Sequence, residues 1–462
     1  MGKYGGDYIL ENTERRADGF TCQMLPPVNN QALNPREAEV YDTVEQFNRQ
    51  MIAYMNQPEV EVENAIPSAT QELGHSYYLK KKRLGERGMR MHYAKFMHDR
   101  RAGSSLYMHY NFMEANKQTV CWEQQDMDYD IRYVRNGQMV GRENANKSKM
   151  HYIFRAKNAQ GLYACPSCGA VQPLETLLDG CDYCKAKFDI NAYQDYVASV
   201  CDFRSTKYFG AKEREKMVKK NYMVAFLFSL VFGLLLSPFA IAGFFTEYSI
   251  AVKILLVFLF GGLCILAFLA MFILLLMVIK GKEKAFKKFA EIYDAIRSCN
   301  PDFDVDVFAS LMDSKIKAAY YATHKKDISA FVLCETDAFL MQNQNVISCD
   351  VNSLELLNFR TDNVYQYIDV CRQVNLLRDM GNQVVAESKY LYLTLCKKRK
   401  YKPNKDVVMY RCPNCGSSIS LKTGGICEYC DSKMDYLLYD WAIVHMHYGE
   451  KPSFAVRGDA GI

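Results

Sequence analysis

The sequence predicts an α+β protein: two domains of helices followed by strands, each ending in a four-cysteine motif, on either side of a two-helix membrane hairpin. Three observations predict it. Two long runs near the middle of the chain carry no charge. Eight cysteines fall into two CxxC…CxxC sets. A helix-then-strand order precedes each set.

Residues 1–35, rich in Asn and Pro, read as a flexible tail. The N-terminal domain is expected over 36–164. Pro35 opens a helix after Asn34, and Val40, Val44, Phe47, Met51 and Met55 recur on one face. Strands follow at Asp128–Val134 and Lys149–Phe154. The Asn136-Gly137 pair after the first of them is a hairpin signal.

The first cysteine set, over 165–184, is Cys165, Cys168, Cys181 and Cys184. The second, over 412–430, is Cys412, Cys415, Cys427 and Cys430. Each CxxC places two thiolates on one tight turn. Two such turns complete a tetrahedral S4 site, a geometry that favours zinc over iron. Gly169 and Gly416 follow the first turns, where glycine tolerates positive φ. Gly180 and Gly424-Gly425 precede the second turns. Four cysteines leave no open coordination position, so two structural zinc ions are the expected cofactors, held in two small zinc ribbons. The remaining nine of the 17 cysteines are scattered singly, as reduced thiols would be.

A basic linker, 185–221, leads to the hairpin at 222–279. Its two apolar runs are 222–245 and 254–279, joined by the short link Thr246–Ser249. Each run exceeds the roughly 20 residues needed to span a bilayer. Arg204, Lys207, Lys212, Lys219 and Lys220 precede the first run, and Lys280, Lys282, Lys284, Lys287 and Lys288 follow the second. Positive charge on both outer flanks puts both arms in the cytoplasm. The expected location is therefore a membrane, crossed more than once. No ionisable residue lies deep in either run, which favours an anchor over a pore. Membrane lipids are expected partners, with Lys284, Lys287 and Lys288 contacting lipid heads.

The C-terminal domain is expected over 280–411. Phe286, Phe289, Tyr293 and Ile296 share one helix face, and Asn300-Pro301 breaks that helix. A second helix carries Phe308, Leu311, Ile316 and Ala319, and a third is expected from Asp327 to Leu340. Strands follow from 345, including Tyr367–Leu376 and Lys389–Leu395 about Gly381-Asn382. Residues 431–462 form a C-terminal tail. Lys187, Asp189 and Tyr193 follow Cys184 at the offsets at which Lys433, Asp435 and Tyr439 follow Cys430. The reading is two copies of one unit.

Over about residues 280–445 the chain resembles bacterial Tim-forty-four-like proteins, relatives by fold of the mitochondrial import-motor docking subunit. The resemblance rests on Asn300–Phe308, Lys315–Ala319, Leu354–Arg360, and Cys412–Cys430 followed by Tyr439-Asp-Trp441. It implies a cone-like fold of the nuclear-transport-factor-two-like kind, with a pocket between sheet and helices. Two such domains, each ending in a zinc ribbon, are the resulting expectation.

The net charge of +5 is too small to argue for nucleic acid. The eight histidines are dispersed, none at HExxH spacing, and no P-loop or GxSxG is present. The leading expectation is a membrane-anchored, non-enzymatic scaffold that binds a protein partner. One alternative is a pocket enzyme or small-ligand or lipid binder, with Asp369 or Glu387 as the acid or base. Another is nucleic-acid or ribosome docking through the basic stretch 80–101: Lys80–Arg83, Arg87, Arg90, Lys95, Arg100 and Arg101, with Tyr77, Tyr78 and Tyr93 interleaved.

Overall fold

The computed structural model describes residues 23–25, 35–57, 66–99, 110–115, 118–155, 162–165, 167–173, 176–177, 180–186, 195–202, 222–224, 226–228, 249–301, 303–381, 383–399, 412–415, 419, 425–427 and 429–450. The chain divides into two compact units. The larger takes residues 1–205, 294–451 and 458–462, and the smaller takes 206–293 and 452–457. Mixed helix and sheet make the protein α+β, as its sequence predicts.

The first half of the larger unit opens with α1 (Pro35–Asn56) and α2 (Gln71–Glu86). The expected apolar face of α1 is the buried one: Val40, Val44, Phe47, Met51 and Met55 are all at most 5% exposed. The sheet has the order β1-β2-β4-β5-β8, with β3 paired to β4. Its strands are β1 (Gln23–Leu25), β2 (Met89–Asp99), β3 (Tyr110–Ala115), β4 (Gln118–Arg135), β5 (Gln138–Phe154) and β8 (Tyr196–Asp202). The hairpin of β6 (Leu162–Ala164) and β7 (Val171–Pro173) stands apart from it. β4 turns into β5 through Asn136 and Gly137, with φ of 50° and 78°. That is the left-handed pair a two-residue hairpin turn requires. Part of the expected N-terminal tail is strand, since β1 pairs in parallel with Lys95–Met97.

The second half begins with the end of α3 (Ile250–Cys299), then α4 (Val305–Tyr321) and α5 (Asp337–Asn343). Its sheet runs β9 (Val346–Thr361), β10 (Tyr365–Asp379), β11 (Val384–Lys398) and β12 (Ala442–Gly449) in meander order. The third helix expected from Asp327 starts only at Asp337. Asp327 instead closes a 3-10 turn, its carboxylate accepting from the Thr323 and His324 N–H groups. The next residues, Phe331–Leu333, are held as a strand-like bridge to Ile443, so they cannot continue a helix.

The two halves match in topology. Each has a helix, an extended bridge, a second helix, a long antiparallel meander, a four-cysteine segment and a last strand. In the first, Thr70 N–H donates to Val197 O at 2.9 Å and Val197 N–H donates to Ser68 O at 2.8 Å. In the second, Leu333 N–H donates to Ile443 O at 2.8 Å and Ile443 N–H donates to Phe331 O at 2.8 Å. Val197 lies as far beyond Cys184 as Ile443 lies beyond Cys430. A β-bulge also falls at equivalent places, beside Ile153 against β8 and beside Leu395 against β12.

The halves are joined by charge and by packing. The buried Arg83 guanidinium of α2 donates to Tyr321 O at 3.3 Å and Asn343 O at 2.8 Å, and also to Ala322 O. It thereby satisfies carbonyls left open at the end of α4, where a cation also meets the helix dipole. Arg87 and Arg135 both hold Asp379, whose side chain is 0% exposed. The core containing Phe47, Leu73 and Tyr133 continues into Ile347, Leu377 and Val384 of the second half. At this seam Gly141 of β5 faces Val384 of β11 so closely that a Cβ would overlap it. Gly141→Val is therefore expected to destabilise the fold by about 1–3 kcal/mol through overpacking. A denaturant melt of the full chain checks this; an unchanged midpoint would show that the seam has slack.

The smaller unit contains the apolar runs. Only 222–224 and 226–228 of the first run are described, and there the Phe226 ring meets Phe268 and Phe272 edge-on at 6.1 Å. The expected multi-pass membrane location is overturned: among the described residues, no helix is long and apolar enough to cross a membrane. Most of the first run lies outside those residues. The second run is the opening stretch of a continuous 50-residue helix rather than a span bounded by its own flanks. Lys284, Lys287 and Lys288 fall on that helix, with Lys287 exposed and Lys288 half-buried.

Candidate metal centres

The four cysteines of each set converge, with all sulfurs of a set within 4.8 Å of one another. In the first, Cys165–Cys184 and Cys168–Cys181 are both 3.7 Å apart. In the second, Cys412–Cys430 is 3.3 Å, and Cys415 lies 3.5 Å from both Cys427 and Cys430. A tetrahedral centre with metal–sulfur bonds of about 2.3 Å has sulfur–sulfur edges of about 3.8 Å. Each set can therefore hold a metal ion. All eight cysteines of the two sets are free of disulfides.

Local backbone chemistry builds each turn. Gly169 N–H donates to Cys165 O at 2.8 Å, and Cys165 N–H donates to Ala170 O at 2.7 Å. This turns the peptide N–H groups of Ser167 and Cys168 onto Cys165 Sγ at 3.3 and 3.5 Å. Asn414 and Cys415 N–H meet Cys412 Sγ in the same way, each at 3.4 Å. Such N–H groups stabilise thiolate charge. The second turns match as well: Lys185 N–H donates to Cys181 O at 2.7 Å and Asp431 N–H donates to Cys427 O at 2.9 Å. Gly169 has the positive φ expected of it, 77°, whereas Gly416 and Gly424 lie outside the described residues. Sequence reasoning missed that Lys185 (58°) and Asp431 (56°) adopt the same left-handed backbone without being glycine. Their equivalent place, directly after the last cysteine, was the available signal.

The thiols of a set do not ionise independently. At Cys184 burial opposes the anion, but the Ala186 N–H, the Ser167 side chain and neighbouring thiols pull it down to about 6. The Ser432 hydroxyl and N–H do the same for Cys430, also to about 6. Cys168 moves the other way, to about 12: the Ala170 N–H favours its anion, yet burial and the three other cysteines outweigh it. Four thiolates this close need a cation among them.

The other expected site residues are placed differently. Asp369 accepts from Thr394 Oγ1 and Arg360 Nη1, each at 2.8 Å. Glu387 is paired with Arg378 at 2.6 Å and Lys389 at 2.9 Å. Burial opposes its charge, but these two cations hold the carboxyl below its usual range. Both acids are thus engaged in ion pairs on the second sheet. The basic stretch turns largely inward. Lys80, Lys81 and Arg83 are buried, Lys82 pairs with Asp327 at 3.2 Å and Lys95 pairs with Asp128 at 2.8 Å. Arg90 is exposed, while Arg100 and Arg101 lie outside the described residues. His445 and His447, which fall in the expected C-terminal tail, instead lie on strand β12 and share one face of it, with Nδ1 atoms 3.4 Å apart.

No family model matches the chain, and neither a curated protein nor a solved structure matches it. Function must be argued from the residues themselves.

Proposed function

We propose that this chain is a non-enzymatic binding scaffold made of two copies of one α+β unit, each closed by a zinc ribbon. The single observation that carries the reading is the matched pair of four-cysteine centres, each followed at the same offset by the last strand of a matched sheet. All-thiolate sites with no open position serve structure rather than catalysis, and zinc is the metal that suits them. The cone-like form, and the likeness of the second half to Tim-forty-four-like proteins, belong to the same reading.

The recognition surface in this reading is the pair of second knuckles. Tyr183 and Tyr429 occupy the same place, directly before the last cysteine, and are 76% and 80% exposed. A rigid, exposed aromatic on a metal-closed turn loses little entropy on binding, and tyrosine is enriched at interface hot spots. Two equivalent tyrosines fit a protein partner that is gripped twice.

The test is quantitative cross-linked capture with the full chain, with Tyr183→Ser, with Tyr429→Ser and with the double variant. The expected result is a defined protein partner, weakened by each single change and lost with both. Capture that is identical in all four, with metal content unchanged, would contradict the proposal.

A further inference from the structure

A cavity of about 90 Å³ lies where the two halves of the larger unit meet. Water needs roughly 10–15 Å³ of such space, so this is room for an organic molecule of six to nine heavy atoms, by rough count. One side is apolar, formed by Phe47, Met51, Phe96 and Met127 of the first half. The other is charged. Lys80 of α2, Lys149 of β5 and Lys317 of α4 face it, together with Glu143 of β5 and Asp350 of β9.

The charges in this wall do not balance. Lys149 is paired with Asp350 at 3.4 Å. Glu143 accepts from the Tyr129 hydroxyl at 3.1 Å. Lys317 donates to a neutral oxygen, Val200 O, at 2.8 Å. Lys80, 8% exposed, has one hydrogen-bond partner among the described residues, Ser348 Oγ at 3.2 Å, with the Tyr321 ring 5.8 Å away. Among the described lining residues, three ammonium groups against two carboxylates leave one positive charge in excess. A buried ammonium with a single neutral hydrogen-bond partner is costly: burial disfavours the charged form of Lys80, and Glu143 and Asp350 oppose this only in part.

We propose that this cavity binds a small organic monocarboxylate, its carboxylate held by Lys80 and Lys317 and its apolar body against Phe47, Met51, Phe96 and Met127. One negative charge cancels the excess. A phosphate dianion overshoots it and leaves the apolar side uncovered. The polar lining groups Tyr77, Glu143, Lys317, Ser348 and Asp350 are half-buried, so the charged end is the one that reaches solvent. Neither four-cysteine set lines the cavity, so this site goes beyond the scaffold reading.

Calorimetric titration of the full, metal-loaded chain with hexanoate, benzoate, hexan-1-ol and inorganic phosphate tests the proposal. Hexanoate or benzoate is expected to bind, with hexan-1-ol and phosphate at least about tenfold weaker, the loss expected when a charge-assisted bond is missing. Lys80→Met is expected to weaken carboxylate binding by at least the same factor while the melting temperature holds or rises, because a desolvated charge is gone. A purely structural Lys80 would lower the melting temperature instead. In that event Met127→Trp, which fills the apolar end and leaves the lysines, decides: lost binding supports the site and retained binding overturns it. Failure of both carboxylates to bind at millimolar concentration, or equal binding of hexan-1-ol, overturns the proposal. Lys80→Met should leave the capture by Tyr183 and Tyr429 unchanged, so failure here is distinct from failure of the scaffold reading.

Discussion

Replacing Asp379 by alanine is expected to cost about 3 kcal/mol of folding stability, and so to lower the melting temperature of the larger unit by about 4 °C. The Asp379 side chain is 0% exposed, and it accepts from Arg87 Nε at 2.8 Å, from Arg135, and from the Gly381 N–H at 3.0 Å. Removing the carboxylate leaves the two guanidinium groups of the first half, 27% and 23% exposed, side by side at the seam with no counter-charge from the second half. Like charges then repel in a poorly solvated place. The same pair gives a pH dependence with a definite sign. Burial opposes the Asp379 charge, but Arg87, the Gly381 N–H and Arg135 outweigh it, and the carboxyl sits below its usual range. A carboxyl with a lowered folded value stabilises the fold above its unfolded pKa of about 3.9 and loses that contribution as pH falls through the folded value. The stability gap between native chain and Asp379→Ala should therefore be full at neutral pH and shrink below about pH 4. Urea melts across this range check it. A gap that stays constant into acid would mean that the carboxylate charge is not what holds the halves.

The second large effect concerns the metal centres. Cys427 is 0% exposed and its carbonyl anchors the second knuckle of the second ribbon. Serine cannot supply a thiolate at neutral pH, so Cys427→Ser should empty that centre. Structural zinc in small domains contributes on the order of 10 kcal/mol of apparent binding free energy, which is also folding free energy. The expected outcome is local unfolding over the ribbon, read as new proteolysis between Cys412 and Asp435, while the first centre keeps its ion. Ile443 of β12 bonds both to Phe331–Leu333 and to β11, so β12 should remain paired. A ribbon that resists protease after this change would show that the metal is dispensable there.

Much of this arrangement was legible in the sequence where one interaction decides the outcome. The apolar stripe of α1 has no competing use, and Asn136-Gly137 admits one turn geometry. The cysteine ligands are fixed by spacing alone. Strand lengths were harder. β4 begins well before its expected start because buried Glu123 and Gln125 continue the pattern with polar residues. Polar side chains there hide the alternation that marks a strand. The basic stretch misled for a related reason. Composition does not reveal that Arg83 meets the end of α4 or that Lys82 meets Asp327, because both partners lie in the other half of the chain. The cavity was invisible on the same ground, since its charged wall draws on α2, β5, α4 and β9.

Native mass spectrometry of the full chain reads the occupancy of both cysteine centres at once. The expected result is two zinc ions per chain, one in Cys412→Ser or Cys165→Ser, and none after acid release, with the cysteines of both sets recovered as thiols. A chain that carries no metal as isolated, or that holds Cys165–Cys184 and Cys412–Cys430 as disulfides, would contradict it.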